Sequence, residues 1–187
     1  MGPTNKSKYM ILAILNESPG SSGYDIKKHC DNLSYFWNEN YSRIYPVLKQ
    51  MEEEGLVTQT EEKGKGRPPK NVYFITPKGK EEYIKWLMLP VEPSSLRSEL
   101  LLKLFFSSDI PVNNMIQKLQ AELAEQMKIR DSLDNQVRQL KAQEWDNRKL
   151  PVWLSIMNYR KIMSEAETRW CGETIKLLQN DNPYTPV

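Results

Sequence analysis

The sequence predicts a mostly helical α+β chain with two domains: a winged helix-turn-helix over residues 1–90 and an all-helical domain over residues 91–187. Two observations favour this fold class. The first half has the pattern of three short helices, a strand pair and a fourth helix, which is the element order of a winged helix. The second half carries long apolar stripes at helical spacing and no segment of strand type.

The composition excludes several classes of protein. The chain has 187 residues with 39% hydrophobic content, which suits a folded chain with a real core. It has no run of about eighteen apolar residues and no cleavage site after its apolar start, so we expect a cytoplasmic protein with no membrane partner. Cys30, Cys171 and the single His29 cannot supply the four ligands of a structural zinc site, and no catalytic motif accompanies them. We therefore predict no metal, no cofactor and no enzyme activity.

Two helices are predicted at the start of the chain. The run YMILAIL, residues 9–15, fits a strand or a helix by periodicity alone, but Thr4 as an N-cap and Ser18-Pro19-Gly20 as a stop favour a helix of about twelve residues. Ser22-x-x-Asp25 is a variant of the capping box and predicts the start of a second helix. Its apolar face would hold Ile26, Cys30 and Leu33.

A third helix is predicted after a break at Asn38-Glu39-Asn40. Pro46 must lie in its first turns, so that the helix begins near Tyr41 or Ser42. Gly55 is placed to end it as a left-handed C-cap. Its buried face would hold Ile44, Val47, Leu48 and Met51.

Residues 56–60 and 71–76 are rich in strand-forming side chains and predict a hairpin around a basic loop. Thr76 as N-cap and Pro77 at the first helical position predict a fourth helix, which ends at Pro90. We expect this helix to bury four side chains, Tyr83, Ile84, Leu87 and Met88.

The second half predicts three helices. Residues 96–106 are apolar on more than one side, as expected of a helix buried between others. A long helix begins at Pro111, and Gln126 and Arg130 interrupt its apolar spacing. The last helix follows Pro151 and carries one apolar stripe, made of Val152, Ile156, Tyr159, Met163, Ala166, Trp170 and Leu177.

Such stripes must be covered, either by an antiparallel helix of the same chain or by a second copy of the chain. We prefer a dimer, because both stripes are long and the small first domain offers them little to pack against. Five residues of the last helix could also line an apolar ligand pocket between the C-terminal helices, or they could simply be core: Trp153, Met157, Tyr159, Met163 and Trp170.

The charges are unevenly distributed along the chain. The net charge is only +2, yet residues 63–80 hold six Lys or Arg and no Asp or Glu. Within the predicted loop, Gly64 and Gly66 let the backbone approach a surface, Pro68 and Pro69 stiffen the tip, and Arg67 could enter a narrow minor groove. Lys63, Lys65 and Lys70 would bind the flanking phosphates. A basic loop at this place predicts duplex DNA as the partner, although many basic loops are merely solvated.

The third helix is the second predicted DNA-contacting element. Arg43 and Lys49 lie in its early and middle turns, and Glu52, Glu53 and Glu54 crowd its far end. Because those carboxylates would be repelled by phosphate, the first half of the helix must face DNA. Hydroxyl groups from Tyr41, Ser42 and Tyr45 could reach phosphates or base edges there. A solvated amphipathic helix is the alternative interpretation.

Several motifs together resemble the PadR family of bacterial transcriptional regulators. They are Leu12 to Leu15, Ser22-Gly23-Tyr24-Asp25-Ile26, Tyr45-Pro46-Val47-Leu48-Lys49, Glu54-Gly55-Leu56-Val57, Gly66-Arg67-Pro68 and Val72-Tyr73-x-x-Thr76-x-x-Gly79. Residues 100–106, the long helix, and Tyr159-Arg160 leading to Trp170 resemble the C-terminal dimerisation domain of the larger members. The resemblance implies a homodimeric repressor that binds a palindromic operator and is released by a small molecule or another signal.

The resemblance assigns DNA contacts to Tyr41, Ser42, Arg43, Tyr45 and Lys49 in the third helix, and to Lys65, Gly66 and Arg67 in the loop. One departure concerns the third helix. Many members have a small residue followed by Thr where this chain has Ser42-Arg43-Ile44, so it could recognise a different operator. The rival hypothesis is an adaptor protein whose winged domain binds an acidic protein, and it predicts no affinity for duplex DNA at about 50 mM salt.

Overall fold

The computed structural model describes residues 5–34, 36–37, 39–62, 69–93, 96–142 and 149–180. The chain forms two compact units, Met1–Pro93 and Ser94–Val187. None of the helices within the described ranges is long and apolar enough to cross a membrane. The described residues likewise contain no cluster of His, Cys, Asp and Glu that could hold a metal ion.

The first unit is a winged helix-turn-helix. Its elements in chain order are α1 Lys6–Glu17, β1 Ser21–Ser22, α2 Gly23–Leu33, a 3-10 turn Tyr41–Arg43, α3 Ile44–Glu53, β2 Val57–Glu62, β3 Lys70–Ile75 and α4 Pro77–Met88. The sheet is antiparallel with the order β1-β3-β2. The predicted helices and hairpin are confirmed. Strand β1 was missed because its two residues have no alternating pattern and are a strand only through pairing with β3.

The capping predictions are also confirmed. At the start of α2, the Ser22 hydroxyl accepts the Asp25 N–H at 3.2 Å, and the Asp25 carboxylate accepts the Ser22 N–H at 2.9 Å. At the end of α3, Gly55 has a φ of +70°. The Gly55 N–H donates to Glu52 O and the Leu56 N–H to Met51 O, which is the Schellman pattern.

Removing the α2 cap should have a modest effect. We expect Ser22→Ala to lower the free energy of unfolding by about 1 kcal/mol, because the Asp25 N–H loses its acceptor. Chemical denaturation of the full chain measures this change. Half-buried Ser98, which caps the short helix α5 in the other unit, is the control position, and an effect of Ser98→Ala on the first unit would contradict the assignment.

The core of the first unit is built where α1 crosses α2 and α3. Helix α1 is buried along most of its length, which explains why its apolar run has no clear helical period. The predicted apolar faces of α2 and α3 pack against it. The fully buried aliphatic side chains of this core are Ile11, Leu12, Leu15, Ile26, Ile44, Leu48, Met51 and Val57.

The predicted buried face of α4 is partly wrong. Tyr83 packs against the core, but Ile84, Leu87 and Met88 are 45%, 56% and 82% exposed. Another stripe of the helix faces the core, because Trp86 stacks on Tyr9 of α1 with ring centroids 4.7 Å apart. Aromatic stacking against α1, rather than hydrophobicity alone, sets the rotation of α4.

The second unit is mainly a long helical hairpin. It contains α5 Glu99–Phe105, a 3-10 turn Ser107–Asp109, α6 Val112–Ala142 and α7 Lys149–Asn180. Helices α6 and α7 run antiparallel, since Ser164 contacts Gln126 while Lys161 contacts Asp134 further along α6. The helix predicted over residues 96–106 is not buried between other helices of the same chain. Within one chain this segment exposes Leu96, Leu101, Leu102, Phe105 and Phe106.

The seam between α6 and α7 uses a different face of α7 from the predicted stripe. Met157, Ser164 and Cys171, spaced seven residues apart, are the buried side chains of α7. The middle of the seam is polar, because the Ser164 hydroxyl donates to Gln126 O at 2.8 Å. Gln126, which interrupts the apolar pattern in the sequence, is itself buried. Because the seam side of α7 is partly polar, hydrophobic spacing in the sequence indicates the opposite, more apolar side of the helix instead.

Candidate nucleic-acid interface

The residues in front of α3 are ordered by a side-chain cap. The Asn40 side chain accepts hydrogen bonds from the Ser42 N–H at 3.1 Å and from the Ser42 hydroxyl at 2.8 Å. The 3-10 turn Tyr41–Arg43 then leads directly into α3. This geometry leaves the first turns of α3 in a defined orientation.

The recognition face is the solvent-exposed side of this element, made of Tyr41, Ser42, Arg43, Tyr45 and Lys49. All five side chains are exposed. They are held there because the opposite side of α3 is anchored in the core by its apolar residues. The structure therefore places the five predicted residues of the third helix on one continuous element, with Arg43 near its start and Lys49 near its middle.

Lys27 of α2 is a neighbour of this face that the sequence analysis missed. Its Nζ lies 4.7 Å from the centroid of the Tyr41 ring, which is a cation–π contact between α2 and the 3-10 turn. Lys27 thus adds a third cation beside Arg43 and Lys49. The only signal in the sequence was the pair Lys27-Lys28 within the second helix.

Tyr45 rests on the start of α2. A Cβ atom on Gly23 would lie 2.6 Å from a ring carbon of Tyr45, so any larger residue at position 23 would displace the ring. Even so, 62% of Tyr45 stays exposed. One side of the Tyr45 ring thus packs against Gly23, and the rest of its surface is accessible to a ligand.

The far end of α3 is occupied by contacts within the unit. The Glu54 carboxylate accepts from Gln50 at 2.7 Å and lies 3.8 Å from Lys8 Nζ of α1. Lys78 Nζ donates to the Glu54 carbonyl at 2.7 Å. The charge of Glu54 is thus partly neutralised by α1, away from the first turns of α3.

The wing is the loop between β2 and β3, and most of its predicted contacts lie outside the described residues: Lys63, Lys65, Gly66 and Arg67. Lys70 is described, and its Nζ lies 3.1 Å from a carboxylate oxygen of Glu62, its cross-strand partner. Residues 63–80 themselves contain no Asp or Glu. The acid that pairs with Lys70 is Glu62, which lies just before that range and which the sheet register places opposite Lys70.

Lys70 also lies near a second acid. The hydroxyl and then the N–H of Ser22 hold the pKa of the Asp25 carboxyl below its usual range, and the charges of Lys70 and His29 act in the same direction. The ammonium group of Lys70 is therefore paired with the Glu62 carboxylate and acts at longer range on the Asp25 carboxylate. A phosphate would have to compete with them for this lysine.

Both cysteines are buried and free of disulfide bonds. Burial, with the nearby charges of Glu39 and Asp31, raises the pKa of the Cys30 thiol to about 11. Burial also raises the pKa of Cys171. Because a thiol with a raised pKa carries little thiolate, both side chains act as packing groups.

The five predicted ligand-binding residues do not form one pocket within the chain. Met157 is buried in the seam between α6 and α7. Tyr159 and Met163 are 58% and 37% exposed on the other side of α7, and Trp170 lies on that same side by helical spacing. By helical spacing, Trp153 lies about 40° from Met157 around the axis of α7 and so belongs to the seam side. The pocket prediction stays untested by these positions, since a second chain could complete it.

One groove of about 280 Å³ lies along the described part of the hairpin. Met157 is the one predicted ligand residue that lines it. Its floor is apolar and its rim carries Lys141, Lys161 and Asp134, with Lys161 Nζ 2.8 Å from the Asp134 carboxylate.

Two family descriptions match the chain. Residues 11–85 match the transcriptional regulator PadR-like family, and residues 96–179 match the family described as virulence activator alpha C-term. The first match contains the complete recognition element, and the second contains α5, α6 and nearly all of α7.

Similar proteins are known by sequence and by structure. The negative transcriptional regulator PadR of Bacillus subtilis is 33% identical over 129 residues, covering 63% of this chain and 69% of that protein. A crystal structure of Bacillus subtilis PadR with operator DNA has a TM-score of 0.81 at 24% identity, over 94% of this chain and 99% of that one. Its complex with p-coumaric acid has a TM-score of 0.73 at 24% identity, over 92% and 98% of the two chains.

Proposed function

The chain belongs to the PadR-like family of transcriptional regulators, and we propose that it is a repressor that binds a palindromic operator as a homodimer and is released by a small molecule. Family membership makes it a regulator and not an enzyme. We place its action in the cytoplasm, where its DNA target would lie. No cofactor is needed for this function.

The observation that carries the proposal is the recognition face. Its two cations, Arg43 and Lys49, are exposed, and the start of α3 adds the positive end of a helix dipole. We propose that Lys49 binds phosphate and that Arg43 reads base edges in the major groove. The wing residues Lys63, Lys65, Gly66, Arg67 and Lys70 would contact the neighbouring minor groove and its phosphates.

The apolar side of α7 that faces away from α6 supports a homodimer. Val152, Tyr159 and Leu177 on this side are each more than half exposed, and helix α5 exposes further apolar side chains. We take these exposed apolar side chains as the surface that a second copy covers. Two copies would present two recognition faces to half-sites about one helical turn, roughly 34 Å, apart.

The small-molecule response is proposed from a relative. Bacillus subtilis PadR has been crystallised with p-coumaric acid. We propose that an apolar or aromatic compound binds this chain between C-terminal helices, near Trp153, Met157, Tyr159, Met163 and Trp170, and favours an arrangement of the two winged units that does not fit the operator. Tryptophan fluorescence titrated with aromatic acids is the test, and an unchanged signal would favour a purely structural role for these residues.

Salt dependence tests the DNA proposal. We expect wild-type chain to bind a duplex from the promoter of its own gene, with log K falling linearly against log salt concentration. Lys49→Ala and Lys65→Ala should each reduce the slope by about one unit, since each removes one phosphate contact. Arg43→Ala and Arg67→Ala should weaken binding, and the loss for Arg43 should depend on sequence, at about 1–3 kcal/mol.

Lys118→Ala is the matched control, because Lys118 is an exposed lysine of α6 in the other unit. It should leave the slope unchanged. Absence of any duplex binding at about 50 mM salt would instead favour the adaptor hypothesis, since a repressor should bind even random DNA under that condition.

A further inference from the structure

A buried carboxylate lies immediately before the recognition face and has no part in the function described so far. Glu39 is 9% exposed, although it stands in a connection between two helices. From the sequence, residues 38–40 are predicted only as a break before the third helix. A buried carboxylate is costly unless it is hydrogen-bonded, so its partners must explain its presence.

Three donors from three places converge on this carboxylate. The Ser7 hydroxyl of α1 donates to Glu39 Oε2 at 2.9 Å, and the Trp37 indole N–H donates to the same oxygen at 3.1 Å. The backbone N–H of Asn40 donates to Glu39 Oε1 at 3.2 Å. Both oxygens are therefore engaged, and the group joins the first helix of the unit to the end of the connection.

The next residue transmits this anchoring to the recognition face. Asn40, whose N–H Glu39 holds, is the side-chain cap that accepts from the Ser42 N–H and hydroxyl. The Asn40 carbonyl also accepts the Arg43 N–H at 2.9 Å. A fixed Asn40 therefore fixes Ser42 and Arg43, which have few other contacts because they are exposed.

We infer that Glu39 is a positioning residue of the recognition face: its buried carboxylate ties the turn in front of α3 to α1 and so determines where Tyr41, Ser42 and Arg43 lie. The expected effect of Glu39 on DNA binding rests on the proposed function. The role of Glu39 in fixing the turn before α3 rests on the hydrogen bonds alone.

A carboxylate is the group that suits this site. The indole and the backbone N–H can only donate, so both Glu39 oxygens must accept. In Glu39→Gln, the amide would place its NH2 against either Trp37 or Asn40, and one hydrogen bond would be lost. In Glu39→Ala, all three donors would lose their acceptor. The expected order of effect is therefore alanine larger than glutamine.

Backbone amide hydrogen exchange of the full chain tests the inference without DNA. We expect the amides of Ser42 and Arg43 to exchange at least about tenfold faster in Glu39→Ala, and by a smaller factor in Glu39→Gln, because their cap is released. The Gly79 amide, bonded to the Thr76 hydroxyl, is the internal reference and should be unchanged. Glu81→Ala, which removes an exposed carboxylate of α4, is the control variant.

DNA binding is the second measurement, made at a temperature where circular dichroism shows each variant folded. We expect Glu39→Ala to lower affinity for the promoter duplex about tenfold and to lower affinity for a scrambled duplex much less, since base contacts need a fixed recognition face whereas phosphate contacts tolerate movement. A role in stability alone would leave this ratio unchanged.

The outcomes separate the two proposals. If wild-type chain binds no duplex, the proposed function fails, and the exchange rates of Ser42 and Arg43 still decide the role of Glu39. If wild-type chain binds DNA but these rates and the affinity ratio are the same in Glu39→Ala, the inference is wrong while the proposed function stands. Should Glu39→Ala fail to fold, Glu39→Gln and Trp37→Phe, which each remove one hydrogen bond, provide the same comparison.

Discussion

Gly79→Ala is expected to unfold or severely destabilise the winged unit. A Cβ atom at residue 79 would lie 2.1 Å from the carbonyl oxygen of Leu56, and that oxygen already accepts the Thr76 N–H at 3.0 Å. Because the clash involves backbone on both sides, no side-chain rotation relieves it. Helix α4 would have to move away from the start of β2.

The expected cost is about 3 kcal/mol or more, at the upper end of overpacking effects. For a domain of this size that corresponds to a fall of more than about 10 °C in Tm. Differential scanning calorimetry of the full chain measures it. The hydrogen bond from Lys78 to the Glu54 carbonyl and the Thr76 cap lie at the same junction. Both should be lost when α4 moves away from the start of β2.

Gly172→Ala is the matched control for this substitution. Gly172 lies within α7, and a Cβ atom there would meet nothing within 4 Å. Alanine should therefore stabilise the helix by about 0.5–1 kcal/mol. A wild-type Tm for Gly79→Ala, or a large loss for Gly172→Ala, would show that the packing around these two glycines has been misread.

Introducing two charges on the exposed side of α7 is expected to give a monomer that binds its operator about 100-fold or more weakly. Tyr159→Glu with Met163→Glu places carboxylates on the apolar side that faces away from α6. Both wild-type side chains are substantially exposed in the single chain, so the helical hairpin itself should remain folded. A monomer loses the affinity that a dimer gains by binding two half-sites at once.

Sedimentation equilibrium is the measurement. The wild-type chain should have twice the 21.9 kDa mass of the single chain, and the double variant should have the single mass. Lys176→Glu, an exposed α7 position away from both the seam and the apolar side, makes the same change in net charge and should stay dimeric. A dimeric double variant would mean that the chain associates through another surface, and the dimer proposal for α7 would be abandoned.

Local chemistry made much of the first unit predictable from its sequence. The Ser22 and Asp25 capping box, the left-handed Gly55 and the Thr76-Pro77 helix start depend on residues close together in the chain. Each feature satisfies backbone groups within a few residues of itself. For the same reason, the five exposed residues of the recognition face could be named before their surroundings were known.

The rotation of long helices was less predictable. For α7 the sequence offers two faces, and hydrophobicity alone favours the one that is exposed in the single chain. The other face holds Ser164, whose hydroxyl is satisfied by the Gln126 carbonyl of α6. Helix α4 posed the same difficulty, because its core side is set by Tyr83 and Trp86 rather than by its aliphatic residues.

By itself, the sequence determined the helices, the β2–β3 hairpin, the helix caps, the placement of cations on α3 and the resemblance to the family to which the chain belongs. Tertiary structure alone decided the pairing of Lys70 with Glu62, the clearance at Gly79 and the hydrogen bond from Ser7 to Glu39. The physical reason is distance along the chain. Caps and periodicities act within a few residues, whereas Ser7 and Glu39 are 32 residues apart and meet only because the packed core holds α1 beside the turn before α3.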